Sequence, residues 1–392
     1  MDHSATTPVR REVAELVNHA MVTEFGNPSS LHEMGIRAEG LLKTAREQLA
    51  SVLQVPAAEI YFTSGGTEAN NLALRGAARA LHRSGKHIIT SAVEHSSVLA
   101  TARDLAGDGF QLTVIPVDKE GRVDPADVAA ALRDDTILVS IMLVNNELGT
   151  VQPAAAIGEI TAARRGSGRF PLFHVDAVQA LGKMAVRPRE LKADLLTLSG
   201  HKIHGPKGAG ALYVRRGVRL LPMQTGGEQE QGLRPGTENV PAIAGMGLAA
   251  QLAEDERPQV TEKLWALNRR LLARVREALP WAHINSPTDP EGAVPHIVNL
   301  GFPGVRGETL VHALAEEGIY VSTGSACHSR QARISHVLEA AGLPAPVAQG
   351  SIRISMGPFT TQEHVDALAA ALARLAPDLA ALAAPARGGG AR

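Results

Sequence analysis

Between residues 60 and 215 the chain repeats one pattern, a short apolar run rich in β-branched residues followed by a stretch of helical composition. The runs are IYFTS (60–64), HIITS (87–91), QLTVIPV (111–117), TILVSIML (136–143), LFHVDA (172–177), LLTLSG (195–200) and GALYV (210–214). Most lack polar alternation, as expected of strands buried on both faces of a parallel sheet. Between them PADVAAALRDD and AAAIGEITAARR read as helices, so the region is expected to form βαβ units in a doubly wound α/β domain. Beyond about residue 258 long amphipathic patterns (EKLWALNRRLLARVREAL, GETLVHALAEEG) mix with short strand patterns (HIVNLGF, GSIRISM), the texture of a smaller α+β domain. The closing stretch, APDLAALAAPARGGGAR, is rich in Ala, Gly and Pro and is expected to fray.

Several function classes lose their support early. The 39 basic and 40 acidic residues nearly cancel and form no long like-charge run, and aromatics are 3% of the chain. Neither a nucleic-acid footprint nor stacking platforms for bases can be built from that, and no partner of either kind is expected. No run of about 18 apolar residues occurs, and MDHSATTPVRREV has neither a signal-peptide nor a transit pattern, so a cytoplasmic protein without membrane association is expected. The single cysteine, Cys327, excludes an internal disulfide.

Ligands of open α/β sheets bind beyond the carboxyl ends of the strands. HIITSAVEH ends at His95, TILVSIMLVNNE brings Asn146, LFHVDAVQ brings Asp176 and Gln179, and LLTLSGHK brings Lys202. If those strands are neighbours, an imidazole, an amide, a carboxylate and an amine share one crevice. FTSGGTEANNLAL (62–74) adds a strand end, a glycine turn and a helix start, with Thr67 placed to cap the helix and Gly65 and Gly66 opening the backbone to a ligand. Free N–H groups and the positive dipole end make such a helix start a phosphate site. There is no G-x-G-x-x-G fingerprint, and GHKIHGPK puts proline where a Walker lysine belongs. A monophosphate ligand that needs a carboxylate and a lysine remains, and pyridoxal phosphate meets that demand. Its Schiff-base lysine titrates at about 10.4 when free, so the site must depress it. His201 and His204 flank Lys202, but no carboxylate or thiolate accompanies their H-x-x-H spacing and no metal site is expected.

These residues fall in ordered motifs: SATTP, FGNPSS, TSGGTEANN, VEHSSV, VNNELG, HVDAVQ, SGHKIHGPKG, RPGTEN, GSAC and SIRISMG. Through them the chain resembles, nearly end to end, the cysteine desulfurases and selenocysteine lyases of the class V aminotransferase group, fold-type I pyridoxal-phosphate enzymes. The resemblance implies a large cofactor-binding domain over residues 9–258. It also implies a small domain over residues 1–8 and 259–392 that carries a mobile loop with Cys327. It implies that Lys202 holds the cofactor and shuttles the substrate Cα proton, with His95 stacked on the ring and assisting proton transfers. Asp176 would pair with the pyridine nitrogen, Gln179 with the ring hydroxyl, and Asn146 would support ring and substrate. Gly66, Thr67, Ser199 and His201 would cradle the phosphate, which Thr237 would reach from the second subunit of a homodimer. Arg353 would clamp the substrate carboxylate, a planar fork on a planar anion.

Cys327 then becomes a nucleophile that takes sulfur from L-cysteine as a persulfide, leaving L-alanine, for delivery to an acceptor such as an iron-sulfur scaffold. A thiol of pKa about 8.5 is only about 3% ionised at pH 7, so a positive neighbour such as His328 or Arg330 is needed. Two features depart from the family pattern. ACHS around Cys327 is similar to selenocysteine lyases, which makes L-selenocysteine the alternative substrate, and Met1 directly precedes Asp2, so a shortened first strand is expected. A non-catalytic docking platform for sulfur transfer would have lost the lysine or the aspartate, and both are present.

Overall fold

The computed structural model describes residues 1–324 and 334–383; Cys327, His328 and Arg330 lie outside the described residues. The large sheet contains β1 (Ile60–Thr63), β2 (His87–Ser91), β3 (Gln111–Ile115), β4 (Thr136–Met142), β5 (Leu172–Asp176), β6 (Leu195–Ser199) and β7 (Gly210–Val214). Their spatial order is β1-β7-β6-β5-β4-β2-β3, so the four strands that end in polar residues, β2, β4, β5 and β6, are consecutive neighbours. All pairings from β3 to β6 are parallel; β7 runs antiparallel to β6, and β1 antiparallel to β7. Helices α1 (Arg11–Val22), α2 (Glu33–Leu53), α3 (Gly66–Leu81), α4 (Ser96–Gly107), α5 (Pro125–Ala131), α6 (Ala154–Arg165) and α7 (Val240–Asp255) accompany it.

The missing polar alternation has a direct cause. In each central strand one apolar residue faces one core and the next faces the other. Ile88, Leu138, Leu172 and Leu195 pack with Leu72, Ala73 and Ala77 of α3, whereas Ile89, Val139, Phe173 and Leu196 pack with Leu49 of α2 and Met246 of α7. Each such side chain contributes about 1.5–3 kcal/mol by leaving water. QLTVIPV is the exception to the reading of doubly buried strands: β3 is the sheet edge, with Gln111 and Val114 exposed. An edge strand has cover on fewer sides, and its composition does not reveal that position.

A second, antiparallel sheet joins β8 (His283–Ile284), β9 (Ile297–Gly301) and β10 (Ser351–Ser355) in the order β10-β9-β8. With it go α8 (Arg257–Ala278), α9 (Gly307–Glu316), α10 (His336–Ala340), α11 (Ala345–Gln349) and α12 (Gln362–Ala383). Ile352 and Ile354 of β10 pack with Leu264 and Leu271 of α8, Leu310 of α9 and Leu368 of α12. Strand alternation therefore sends Arg353, between them, to the opposite face. Asp2 bridges to Ser355 beside the same strand. The expectation that the chain frays from Ala376 is corrected: α12 continues through Pro377 to Ala383, because Ala376 is buried in this second core with Leu375 and Leu379 against it.

Candidate active site

Beyond the carboxyl ends of β2, β4, β5 and β6 lies a cavity of about 250 Å³ lined by Gly66, Thr67, His95, Asn146, Asp176, Gln179, Ser199, His201, Lys202 and Arg353. Every residue to which the resemblance gives a part in catalysis or in holding cofactor or substrate is in its wall except Thr237 and Cys327. Thr237 is exposed between β7 and α7, away from this cavity. Cys327 lies outside the described residues.

Asp176 ends β5 and is buried at 5% exposure. A buried carboxylate needs donors, and among the described residues it has two: Asn70 Nδ2 at 2.7 Å to Oδ2, and the Val178 amide at 3.0 Å to Oδ1. Asn70 sits on α3, one turn after Thr67, and its amide also reaches Ser97 Oγ at 2.8 Å. Sequence reading missed Asn70, although its i+3 spacing from Thr67 put the two on the same face of the helix. Behind Asp176, His174 is enclosed by Ser140 Oγ at 2.8 Å and Thr197 Oγ1 at 3.0 Å, and burial pulls its pKa down to about 4.

His95 is the N-cap of α4, with Nδ1 accepting from the Ser97 amide at 3.2 Å. Burial lowers its pKa and Lys202 adds to the effect, while Asp176 opposes it, so the ring is neutral at pH 7. Lys202 closes a single 3₁₀ turn after β6, and its Nζ donates to the carbonyls of Ser4 and, at 2.8 Å, Ala5. Gln179 Nε2 donates to the same Ser4 carbonyl at 3.1 Å. The SATTP segment thus forms a backbone wall of the site, a role that the sequence reading did not assign to it.

At the head of α3 the cap is Gly65, not Thr67. Gly65 adopts φ 157 and ψ 178, a region open essentially to glycine alone, whereas Thr67 is already within the helix. A Cβ at Gly66 would lie 3.0 Å from Val178 Cγ2 and 3.5 Å from Ser199 Cβ. Ser199 is buried, and its Oγ has no partner among the described residues. His201, with Nδ1 3.2 Å from Thr6 Oγ1, is held at a pKa of about 4 by burial, with Lys202 and Lys207 adding.

Arg353 is no surface residue. It is 2% exposed, and its fork donates to the Asn146 carbonyl at 2.9 Å and to Asp2 Oδ1 at 3.0 Å. Ser322 Oγ holds the other Asp2 oxygen at 2.8 Å.

Residues 1–368 match the family described as Aminotransferase class-V. The chain belongs to this family. It is 47% identical over 366 residues to the cysteine desulfurase IscS of Methanosarcina thermophila, covering 93% of this chain and 89% of that protein. The cysteine desulfurase IscS of Dictyoglomus turgidum is 44% identical over 367 residues, covering 93% and 91%. A solved NifS-like protein superposes with a TM-score of 0.90 at 38% identity, covering 96% of this chain and 99% of that one. The helix-flanked, mostly parallel sheet is the fold-type I architecture expected from the motifs.

Proposed function

We propose that the protein is a pyridoxal-phosphate-dependent cysteine desulfurase that converts L-cysteine and the Cys327 thiol into L-alanine and a Cys327 persulfide. One observation carries the reading: a carboxylate, a neutral imidazole and a lysine amine converge on one buried cavity whose rim holds a buried arginine. The relatives named cysteine desulfurases support it.

The residues present fit the cofactor. Ser199 Oγ is a buried hydroxyl still lacking a partner, it faces the glycine-opened start of α3, and a Cβ at Gly66 would crowd that space. Pyridoxal phosphate, when bound, supplies an electron sink for the charge left on the substrate Cα. Asp176, oriented by Asn70 and the Val178 amide, would hold the pyridine nitrogen protonated, and Gln179 would meet the ring hydroxyl. Gly66, Thr67, Ser199 and His201 would hold the phosphate. Lys202 would bind the cofactor and carry the Cα proton, His95 would lie over the ring, and Asn146 would support ring and substrate. Arg353 would receive the substrate carboxylate. Cys327 would attack the substrate sulfur, forming the S–S bond as the Cβ–S bond breaks.

The same reading makes the protein a homodimer in which Thr237 reaches the partner's phosphate site, with an iron-sulfur scaffold as sulfur acceptor. It takes residues 9–258 as the large domain and residues 1–8 and 259–392 as the small one. Among the described residues no helix is long and apolar enough to cross a membrane, which fits a cytoplasmic enzyme.

Intact mass after incubation with L-cysteine tests the proposal. One added sulfur on Cys327, with alanine released and a visible band lost in Lys202→Ala, is expected. Alanine without added sulfur would sink the loop-nucleophile step, and selenide release from L-selenocysteine with negligible sulfide from L-cysteine would reassign the substrate.

A further inference from the structure

Glu147 of VNNELG lies outside the cavity wall and has no part in the chemistry above, yet its side chain is fully buried at 0% exposure. Among the described residues no lysine or arginine forms an ion pair with it, although its charge reaches His95. Oε2 accepts from Ser335 Oγ at 2.6 Å, and Oε1 is buried without a partner among the described residues. On another side, a Cβ built on Gly324 would lie only 2.8 Å from the same Oε2, and Gly324 holds φ +136, a conformation that L side chains rarely adopt. Gly324 and Ser335 therefore meet one carboxylate, and they stand on either side of the stretch that contains Cys327.

The backbone that carries the carboxylate is held firmly. Asn145 Oδ1 accepts from the amides of Glu147 and Leu148 at 2.9 and 2.8 Å, and Asn299 Nδ2 reaches the Glu147 carbonyl at 3.3 Å. The neighbouring Asn146 carbonyl accepts from Arg353. Ser335, besides donating to Glu147, accepts from the Val337 amide at 3.1 Å as the N-cap of α10. One buried turn at the end of β4 thus touches the proposed substrate clamp on one side and both approaches to Cys327 on the other.

We infer that Glu147 is a positioning residue that ties Gly324 and Ser335 to the floor of the site, setting the separation from which the Cys327 thiol meets substrate sulfur. Joining two separated pieces of chain at a hydroxyl and a glycine is the work its position performs. The sulfur-transfer part of this inference rests on the desulfurase reading.

The test uses the fact that Cys327 is the only cysteine. In the cofactor-bound protein, the rate of Cys327 alkylation by iodoacetamide is followed by intact mass, beside single-turnover persulfide formation from L-cysteine. Ser335→Ala and Glu147→Gln are expected to change the alkylation rate about threefold or more and slow persulfide formation about tenfold, with cofactor content and KM for L-cysteine unchanged. Ser335→Thr, which keeps the hydroxyl, is expected to restore both rates. Alkylation and persulfide formation unaltered in Ser335→Ala would overturn the inference, and that variant keeps the test decisive should Glu147→Gln fold poorly. If sulfur fails to reach Cys327 in the unaltered protein, the desulfurase reading fails instead, while the alkylation rates still decide the role of Glu147.

Discussion

Arg353 and Asn70 act through hydrogen bonds that a similar residue cannot replace. The guanidinium spans the Asn146 carbonyl and Asp2 at once, and a lysine has no fork to do so. Arg353→Lys is therefore expected to raise KM for L-cysteine about tenfold or more with a smaller change in kcat, read from steady-state alanine formation. Asn70 gives Asp176 one of its two donors. Asn70→Leu removes a hydrogen bond to a buried charge, so cofactor binding should weaken by about 1.5–3 kcal/mol, measured by titrating cofactor-free protein. Asp176 was legible because it ends an apolar run, whereas Asn70 was legible only as a residue on the Thr67 face of the helix, since that spacing does not say that its amide meets a carboxylate 106 residues away.

Among the elements, β3 and β4 make the clearest contrast. Val139 of β4 is 0% exposed with a strand on each side, while Val114 of the edge strand β3 is 41% exposed. Val139→Ala should cost about 2–3 kcal/mol in urea unfolding and Val114→Ala under about 0.5 kcal/mol, although both sit in similar apolar runs. At the start of α3, Gly65→Ala is expected to cost about 1–3 kcal/mol, since alanine resists φ 157 with ψ 178. The strands were readable because each run is short, apolar and closed by a polar residue. Their order across the sheet was not, because it depends on crossovers that leave no mark in the local pattern. The cap at Gly65 was misread as Thr67 because both residue types favour helix starts.

At the scale of the whole molecule, buried titratable groups set how stability changes with pH. His3, His174, His201 and His204 are all depressed by burial from 6.5 to about 4. Below pH 6.5 the unfolded chain takes up protons that the fold refuses, so their stability contribution is lost as pH falls towards 4. For the fully buried His174 alone this is about 3 kcal/mol. Glu94 is opposite in sign: burial raises it to about 8, so its contribution is present at low pH and is lost as pH rises from 4.5 through 8. Four histidines outweigh one carboxylate on the acid side, whereas above about pH 6.5 the loss from Glu94 is opposed by the Met1 amino group, lowered by burial, and near pH 8 by Lys183, which burial lowers to about 8. Calorimetry should therefore find Tm rising from about pH 4 to 6.5, and Glu94→Gln should shift the slope of Tm between about pH 6.5 and 8 upward relative to the unaltered protein. A Glu94→Gln profile parallel to that of the unaltered protein above about pH 6.5 would contradict this assignment.

Local chemistry along the chain determined the α/β class, the glycine turn before α3, and the carboxylate, imidazole and lysine of the site, because apolar periodicity and strand-end polarity are properties of short segments. Tertiary structure alone decided that β2, β4, β5 and β6 lie side by side, that β3 is an edge, and that Arg353 is buried beside Asp2 and Asn146. It also brought the Ser4 carbonyl to Lys202 and Glu147 to both Gly324 and Ser335. Those contacts join residues up to 351 positions apart, and a hydrogen bond between such partners depends on where packing carries them, which no local pattern encodes.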